Sequence, residues 1–219
     1  RDPQVFISSF DRPNLSLAVL PGQDRWRAIE RIVGRHAGRS GIIYCNSRAG
    51  TEKLAAKLQA IGVNADYYHA KLDALERSRV QDDFIQGKLH VICATIAFGM
   101  GIDKADVRFV VHYNMPGTVE GYYQEIGRAG RDGKPAETIL FYSYADVQTH
   151  MHFAEELKDP RYKEVVIAKL DRMKEYAEAQ VCRRTILLSY FSEETMEPCG
   201  NCDVCKDPPK YFDGTVLAQ

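Results

Sequence analysis

Residues 41–62, "GIIYCNSRAGTEKLAAKLQAIG", decide the fold. An apolar run of strand length (41–45) is followed by a segment in which Leu54, Leu58 and Ile61 recur at helical spacing. That segment stops at Gly62, as a helix does. The unit is therefore a strand followed by a helix, and it repeats in both directions. Upstream, "NLSLAV" (14–19) reads as a strand, and "DRWRAIERIVGRH" puts Trp26, Ile29, Ile32 and Val33 on one helical face. Downstream, "ADYYH" (65–69), "HVICAT" (90–95), "VRFVVHY" (107–113) and "ETILFY" (137–142) read as strands. "ALERSRVQDDFIQG" carries Leu75, Val80, Phe84 and Ile85 on a helix that again ends at a glycine. Alternating strands and helices imply an α/β fold, a parallel sheet covered on both faces. Its functional edge is expected where strands end and loops begin, at Asn46-Ser47-Arg48, His69, and Thr95 to Asp103.

After Tyr142 the texture changes. "YKEVVIAKLDRMKEYAEAQ" and "CRRTILLSYF" are helical, and "EPCGNCDVCKDPPKYFDG" is loop-like, so a second, smaller unit is expected from about residue 147. The domains are set at 1–146, 147–214 and a linker start at 215–219, and both termini read as cuts within a longer protein. At 219 residues, 45% hydrophobic and 27% charged, the chain has the composition of an ordinary globular protein. A net charge of −1 makes any contact with nucleic acid local rather than global. No apolar run approaches a membrane span, and membrane partners are not expected.

Six cysteines are unevenly spread. Cys199, Cys202 and Cys205 follow one another at two-residue gaps, Gly200 letting the backbone bend between them, and Cys182 lies upstream before a helix. Four sulfurs from two short segments suit the closed tetrahedral shell of a structural zinc ion, and the spacing favours this over free thiols or a redox pair. Such a shell leaves no place for water, so zinc is expected to brace a unit too small to bury its own core.

Two further stretches carry residues suited to meeting an anion. "ATIAFGMGIDKADVRF" (94–109) ends a strand at Thr95 and continues through Gly99 and Gly101 to Asp103, glycines that help present backbone N–H groups to a phosphate. "YYQEIGRAGRDG" (122–133) follows a helix that Thr118 is placed to cap, with Gln124, Arg128 and Arg131 expected as a polar stripe from its last turn onward. The glycines at 127, 130 and 133 weaken a helix and point to a close approach. The phosphate-loop pattern G-x4-G-K-[ST] is missing, as is an acidic strand end for Mg²⁺, so this chain is not expected to hydrolyse a nucleoside triphosphate unaided.

In order along the chain, "SFDRPNL" (9–15), "IIYCNSR" (42–48), "YHA" (68–70), "ATIAFGMGID", "YYQEIGRAGRDG", "CRRTILLSYF" (182–191) and "EPCGNCDVC" (197–205) resemble the RecQ family of DNA helicases, and most of all its bacterial members with their compact zinc module. The resemblance implies the second RecA-like (P-loop NTPase-type) lobe of a superfamily 2 helicase followed by a small helical zinc-binding subdomain. It implies a first lobe holding ATP and Mg²⁺, a winged-helix domain beyond the zinc module, 3′-to-5′ movement on single-stranded DNA and duplex junctions in recombination and repair, and a cytoplasmic, nucleoid-associated location. Carried over by position, Arg131 matches the arginine finger that reaches the γ-phosphate, Arg128 its partner and Gln124 a residue orienting both. Asp103 matches a carboxylate near the ribose, and Asn46, Ser47, Arg48 and Thr95 match groups that grip the DNA backbone. Two departures, Lys71 where the family often has glycine and Ala105 where it often has proline, touch none of these positions. An alternative is a zinc-stabilised nucleic-acid-binding module with no motor role, which leaves Gln124, Arg128 and Arg131 without a task. A dinucleotide-type enzyme is disfavoured, since no G-x-G-x-x-G follows the first strand.

Overall fold

A computed structural model describes residues 9–22, 24–99, 102–195 and 197–209. Each run expected as a strand forms one: β1 (Leu15–Pro21), β2 (Ser40–Tyr44), β3 (Ala65–Tyr68), β4 (Val91–Ala94), β5 (Val107–His112) and β6 (Ala136–Tyr142). They build one parallel sheet in the order β1-β6-β5-β2-β4-β3. Helices α1 (Arg25–Arg35), α2 (Arg48–Ala60), α3 (Ala74–Ile85) and α4 (Val119–Ile126) return the chain between strands. After β6 come α5 (Tyr144–Glu155), α6 (Pro160–Glu178), α7 (Arg183–Tyr190) and the single turn α8 (Asp203–Lys206).

The near-continuous apolar strands follow from burial on both sides, because successive side chains point to opposite faces. Ile43, Cys93, Val111 and Phe141 face one core, closed by Ile29 and Ile32 of α1 and Leu54 and Leu58 of α2. Their neighbours Ile42, Ile92, Val110 and Leu140 face the other, closed by Phe84 of α3, Tyr122 and Ile126 of α4, and Leu170 and Tyr176 of α6. The helical unit thus shares the second core with the sheet.

Three apolar positions assigned to helix faces lie outside the core: Ile61, Leu75 and Ile85 are 49%, 84% and 39% exposed. Ile61 falls just past the end of α2, and Leu75 and Ile85 sit at the two ends of α3. α2 also starts earlier than its periodicity indicates, because the Ser47 hydroxyl accepts the Gly50 N–H at 3.1 Å and caps it. The Thr118 hydroxyl caps α4 in the same way, from Gly121 N–H at 3.0 Å, and each such cap is worth about 1 kcal/mol. The change of texture begins at Tyr144, where Ser143 caps α5.

Because the strands are parallel, β2, β3, β4 and β5 finish on one edge, at Tyr44, Tyr68, Ala94 and His112. α4 then runs back across the sheet and ends near the start of β5, where Gly130 N–H bonds to the Val107 carbonyl and Asp132 N–H to that of Ala105. The connection 95–106 travels the same way, with no helix among its described residues. These two returns position the candidate site.

Candidate nucleotide and nucleic-acid site

Both arginines lie beyond α4 rather than in its last turn, since the helix ends at Ile126 with Gly127 as its cap. Arg128 is half-buried, and its guanidinium donates to the Gly99 carbonyl. Arg131 donates to the Ile102 carbonyl at 3.0 Å and stands 3.5 Å from the Asp103 carboxylate. Asp103 is almost fully exposed, and Arg131 is 37% exposed. The two guanidiniums are thus anchored by main-chain carbonyls of the 95–106 connection, with Arg131 and Asp103 open to an incoming group. A carbonyl anchor fixes direction without neutralising charge, which suits a cation that must meet an anion. Gln124 is exposed on α4 and, among the described residues, makes no hydrogen bond to either arginine.

In the sequence Tyr44, at the end of β2, has the signature of a strand residue and nothing more. Its hydroxyl donates to the Phe98 carbonyl at 3.2 Å, one residue before the Arg128 anchor. Burial pushes its pKa far above that of a free tyrosine, against the pull of the Arg128 guanidinium, so it remains a neutral donor. No periodicity distinguishes such a tyrosine from a core residue.

The second group sits on the carboxyl edge of the sheet. β2 and β4 are neighbours, so the segment Asn46-Ser47-Arg48 after β2 lies beside Thr95 after β4. Asn46, Ser47 and Arg48 are exposed, and Thr95 is half-buried with its N–H held by the Tyr68 carbonyl. Ser47 and Arg48 also open α2, whose first-turn N–H groups favour an anion there. His69 is buried and bonded through Nε2 to Glu52 at 2.9 Å. The sequence placed Thr95 to Asp103 on one edge. The structure divides them: Thr95 stays on the carboxyl edge, while Asp103 joins Arg131 towards the opposite one.

The cysteines form a third centre. The sulfurs of Cys182, Cys199, Cys202 and Cys205 all lie within 4.8 Å of one another. Four sulfurs on zinc at ~2.3 Å stand about 3.8 Å apart, so the donor set fits that ion. Gly200 adopts φ of 65°, the left-handed turn required between the ligands. Backbone N–H groups of Cys199, Asn201 and Cys205 point at the sulfurs of Cys182, Cys199 and Cys202 at 3.3, 3.4 and 3.4 Å. Burial opposes the Cys182 thiolate, but the hydrogen bonds from Cys199 and Thr185 outweigh it and bring its pKa down to about 6.

Two arginines that read as ordinary helix residues fasten this centre to the sheet. Arg183, buried, pairs with Asp203 at 3.0 Å, and Asp203 in turn accepts the Val19 N–H of β1 at 2.9 Å. Arg184, also buried, pairs with Asp11 and donates to the Leu15 carbonyl at 2.6 Å. Their partners lie 20 and more residues away in sequence, so spacing gave no signal.

Comparison with known proteins gives two family matches along the chain. The family described as helicase conserved C-terminal domain matches residues 24–133, and RecQ zinc-binding matches residues 144–206. The ATP-dependent DNA helicase RecQ of Pasteurella multocida is 47% identical over 220 residues, covering 100% of this chain and 35% of that protein. The RecQ helicase of Haemophilus influenzae is 47% identical over 98% of this chain and 35% of its own length, and the RecQ-like DNA helicase BLM of Xenopus laevis 46% identical over 91% and 16%. The chain therefore spans about a third of the length of the bacterial relatives it matches. Among solved structures, a DEAD box protein from Methanococcus jannaschii superposes with a TM-score of 0.54 at 27% identity, over 70% of this chain and 39% of that one. Yeast Dbp5 bound to RNA and ADP BeF3 gives 0.55 at 23% identity, over 72% and 46%, a likeness of fold alone. With the helicase family covering α1 to α4 and strands β2 to β5, and the RecQ zinc-binding family covering the later helices and the four clustered cysteines, the chain belongs to the RecQ family of helicases.

Proposed function

We propose that this chain is the second lobe of a two-lobed, ATP-driven DNA helicase motor, with the four cysteines holding a structural zinc ion. The carrying observation is that Arg128 and Arg131 are anchored on the 95–106 connection, which begins beside the nucleic-acid edge at Thr95 and ends beside Asp103. One peptide segment thus touches both groups. ATP and Mg²⁺ belong to the partner lobe, because this chain has no phosphate-binding loop. Arg131, partly exposed and fixed in direction, supplies positive charge where negative charge develops during phosphoryl transfer, an effect on the order of 10³–10⁵ in rate. Arg128 holds the loop and the nucleotide side of the interface. Asp103 faces the ribose and Gln124 the lobe interface. Asn46, Ser47, Arg48 and Thr95 meet DNA phosphates, contacts that follow a strand without reading its sequence. Closure and opening of the cleft then advance the strand.

The test is Arg131→Ala in the two-lobed protein. DNA-stimulated kcat should fall by about 10³-fold or more with ATP affinity nearly unchanged. An unchanged kcat would remove the arginine-finger assignment.

A further inference from the structure

The segment Ser9–Leu15 lies between two parts of the protein that are far apart in sequence. One is the loop carrying both arginines. The Arg12 guanidinium donates to three of its carbonyls, Gly127 at 3.3 Å, Ala129 at 2.9 Å and Gly130 at 2.9 Å. Asn14 adds bonds from its side-chain amide to Gly130 at 2.8 Å and Lys134 at 2.9 Å. The Gly127 carbonyl belongs to the peptide plane that leads into Arg128, and the Gly130 carbonyl to the plane that leads into Arg131. Arg12 therefore pins the backbone just before each of the two side chains. A planar fork spans three carbonyls, whereas a lysine ammonium is a point charge on a flexible stem.

The other part is the cysteine-bearing unit. Glu193 accepts the Phe10 N–H and the Ser9 hydroxyl, both at 2.7 Å. The Phe10 ring stacks on Phe191 with centroids 4.6 Å apart, and Tyr123 of α4 donates to the Phe10 carbonyl at 2.8 Å. Asp11 pairs with Arg184, two residues from the ligand Cys182. The segment is a splint with one end on the zinc-ordered helices and the other on the arginine loop.

We propose that Arg12 is a positioning residue for Arg128 and Arg131, and that Glu193 sets its register from the zinc-bearing unit. This rests on the nucleotide-facing role of the pair given above. A mere staple, when lost, lowers stability and every function together. A positioning residue, when lost, lowers the chemical step alone and only while the group it positions is present.

In the two-lobed protein, Arg12→Ala should lower kcat about 10²-fold, the effect of misplacing a reacting group by about 1 Å, with ATP affinity and zinc content unchanged. Amide exchange at Gly130 and Asp132 should quicken while β2 and β4 stay protected. Added to Arg131→Ala, it should cost less than it does alone, because only Arg128 remains to be misplaced. Glu193→Ala should lower kcat several-fold with zinc retained. Wild-type kcat in Arg12→Ala, unaltered exchange at Gly130, or a double variant showing the full product of both losses would overturn the proposal; wild-type kcat in Glu193→Ala would overturn its link to the zinc-bearing unit. Should Arg12→Ala fail to fold, Arg12→Lys, which keeps charge and stem but not the fork, takes the same measurements with the same overturning outcomes. Wild-type kcat in Arg131→Ala alone is a different failure, and it removes the arginine-finger reading instead.

Discussion

A β-carbon built on Gly99 collides with the Arg128 guanidinium, the group that also bonds to the Gly99 carbonyl. The glycine was read as presenting N–H groups to a phosphate; in the structure it makes room for a cation and offers its carbonyl to it. Gly99 has φ of 158°, a backbone conformation that side chains rarely adopt, so Gly99→Ala should fold with a lowered melting temperature. It should reproduce the kinetic loss of Arg128→Ala in the two-lobed protein, about 10²-fold for a displaced reacting group. Parallel measurement of Tm and kcat decides the matter, and a Gly99→Ala protein with full activity would show that the Arg128 anchor is dispensable. At this scale the sequence revealed identities better than reasons. Arg128, Arg131 and Asp103 stand out by glycine spacing and family resemblance. Arg12 and Tyr44 do not, because what matters about them is a carbonyl more than 50 residues away.

Secondary elements were legible wherever a hydrophobic period had to match a two-sided core, which is why all six strands appear where expected. Ends of helices were less so: Ile61, Leu75 and Ile85 keep the period but stay exposed at or just beyond helix ends. The docking of α7 and α8 was hidden for another reason. Arg183 and Arg184 carry charge, yet both are buried against Asp203, Asp11 and main-chain carbonyls. Buried cations of this kind are tolerated only while their partners stay in place. Those partners are set by the cysteines: Asp203 follows Cys202, and Cys202 itself bridges to Leu17 of β1. Structural zinc in small sites contributes about 10–16 kcal/mol of apparent binding energy. Chelation, or Cys199→Ser, should therefore release one metal ion per chain and open residues 182–206 to protease before the sheet is cut. Zinc assay and limited proteolysis check this together. A metal-free variant as resistant as wild type would refute the structural role.

Across the whole molecule, the carboxyl edge proposed to meet nucleic acid and the arginine pair lie towards opposite ends of the sheet, joined by the 95–106 connection and by α4. The α/β class was readable from alternation, but this separation was not, because it depends on two connections returning over the same face. Under the proposed function, the arginines act on a nucleotide held by the other lobe, while the proposed phosphate contacts on the carboxyl edge are carried by this chain. The two functions should therefore part when the 219-residue chain is studied alone. Binding to single-stranded DNA should survive, weakly, with a salt slope of roughly −0.7 per phosphate contact, and Arg48→Ala should flatten it by about that amount. ATP turnover should be undetectable with or without DNA. Circular dichroism establishes that the chain is folded, salt titration reads the first property, and phosphate release reads the second. DNA-stimulated hydrolysis by the folded chain would mean that a nucleotide site exists within it, and the division of labour between two lobes would fall. Loss of DNA binding with the fold intact would instead place the strand contacts elsewhere and leave the arginine assignment standing.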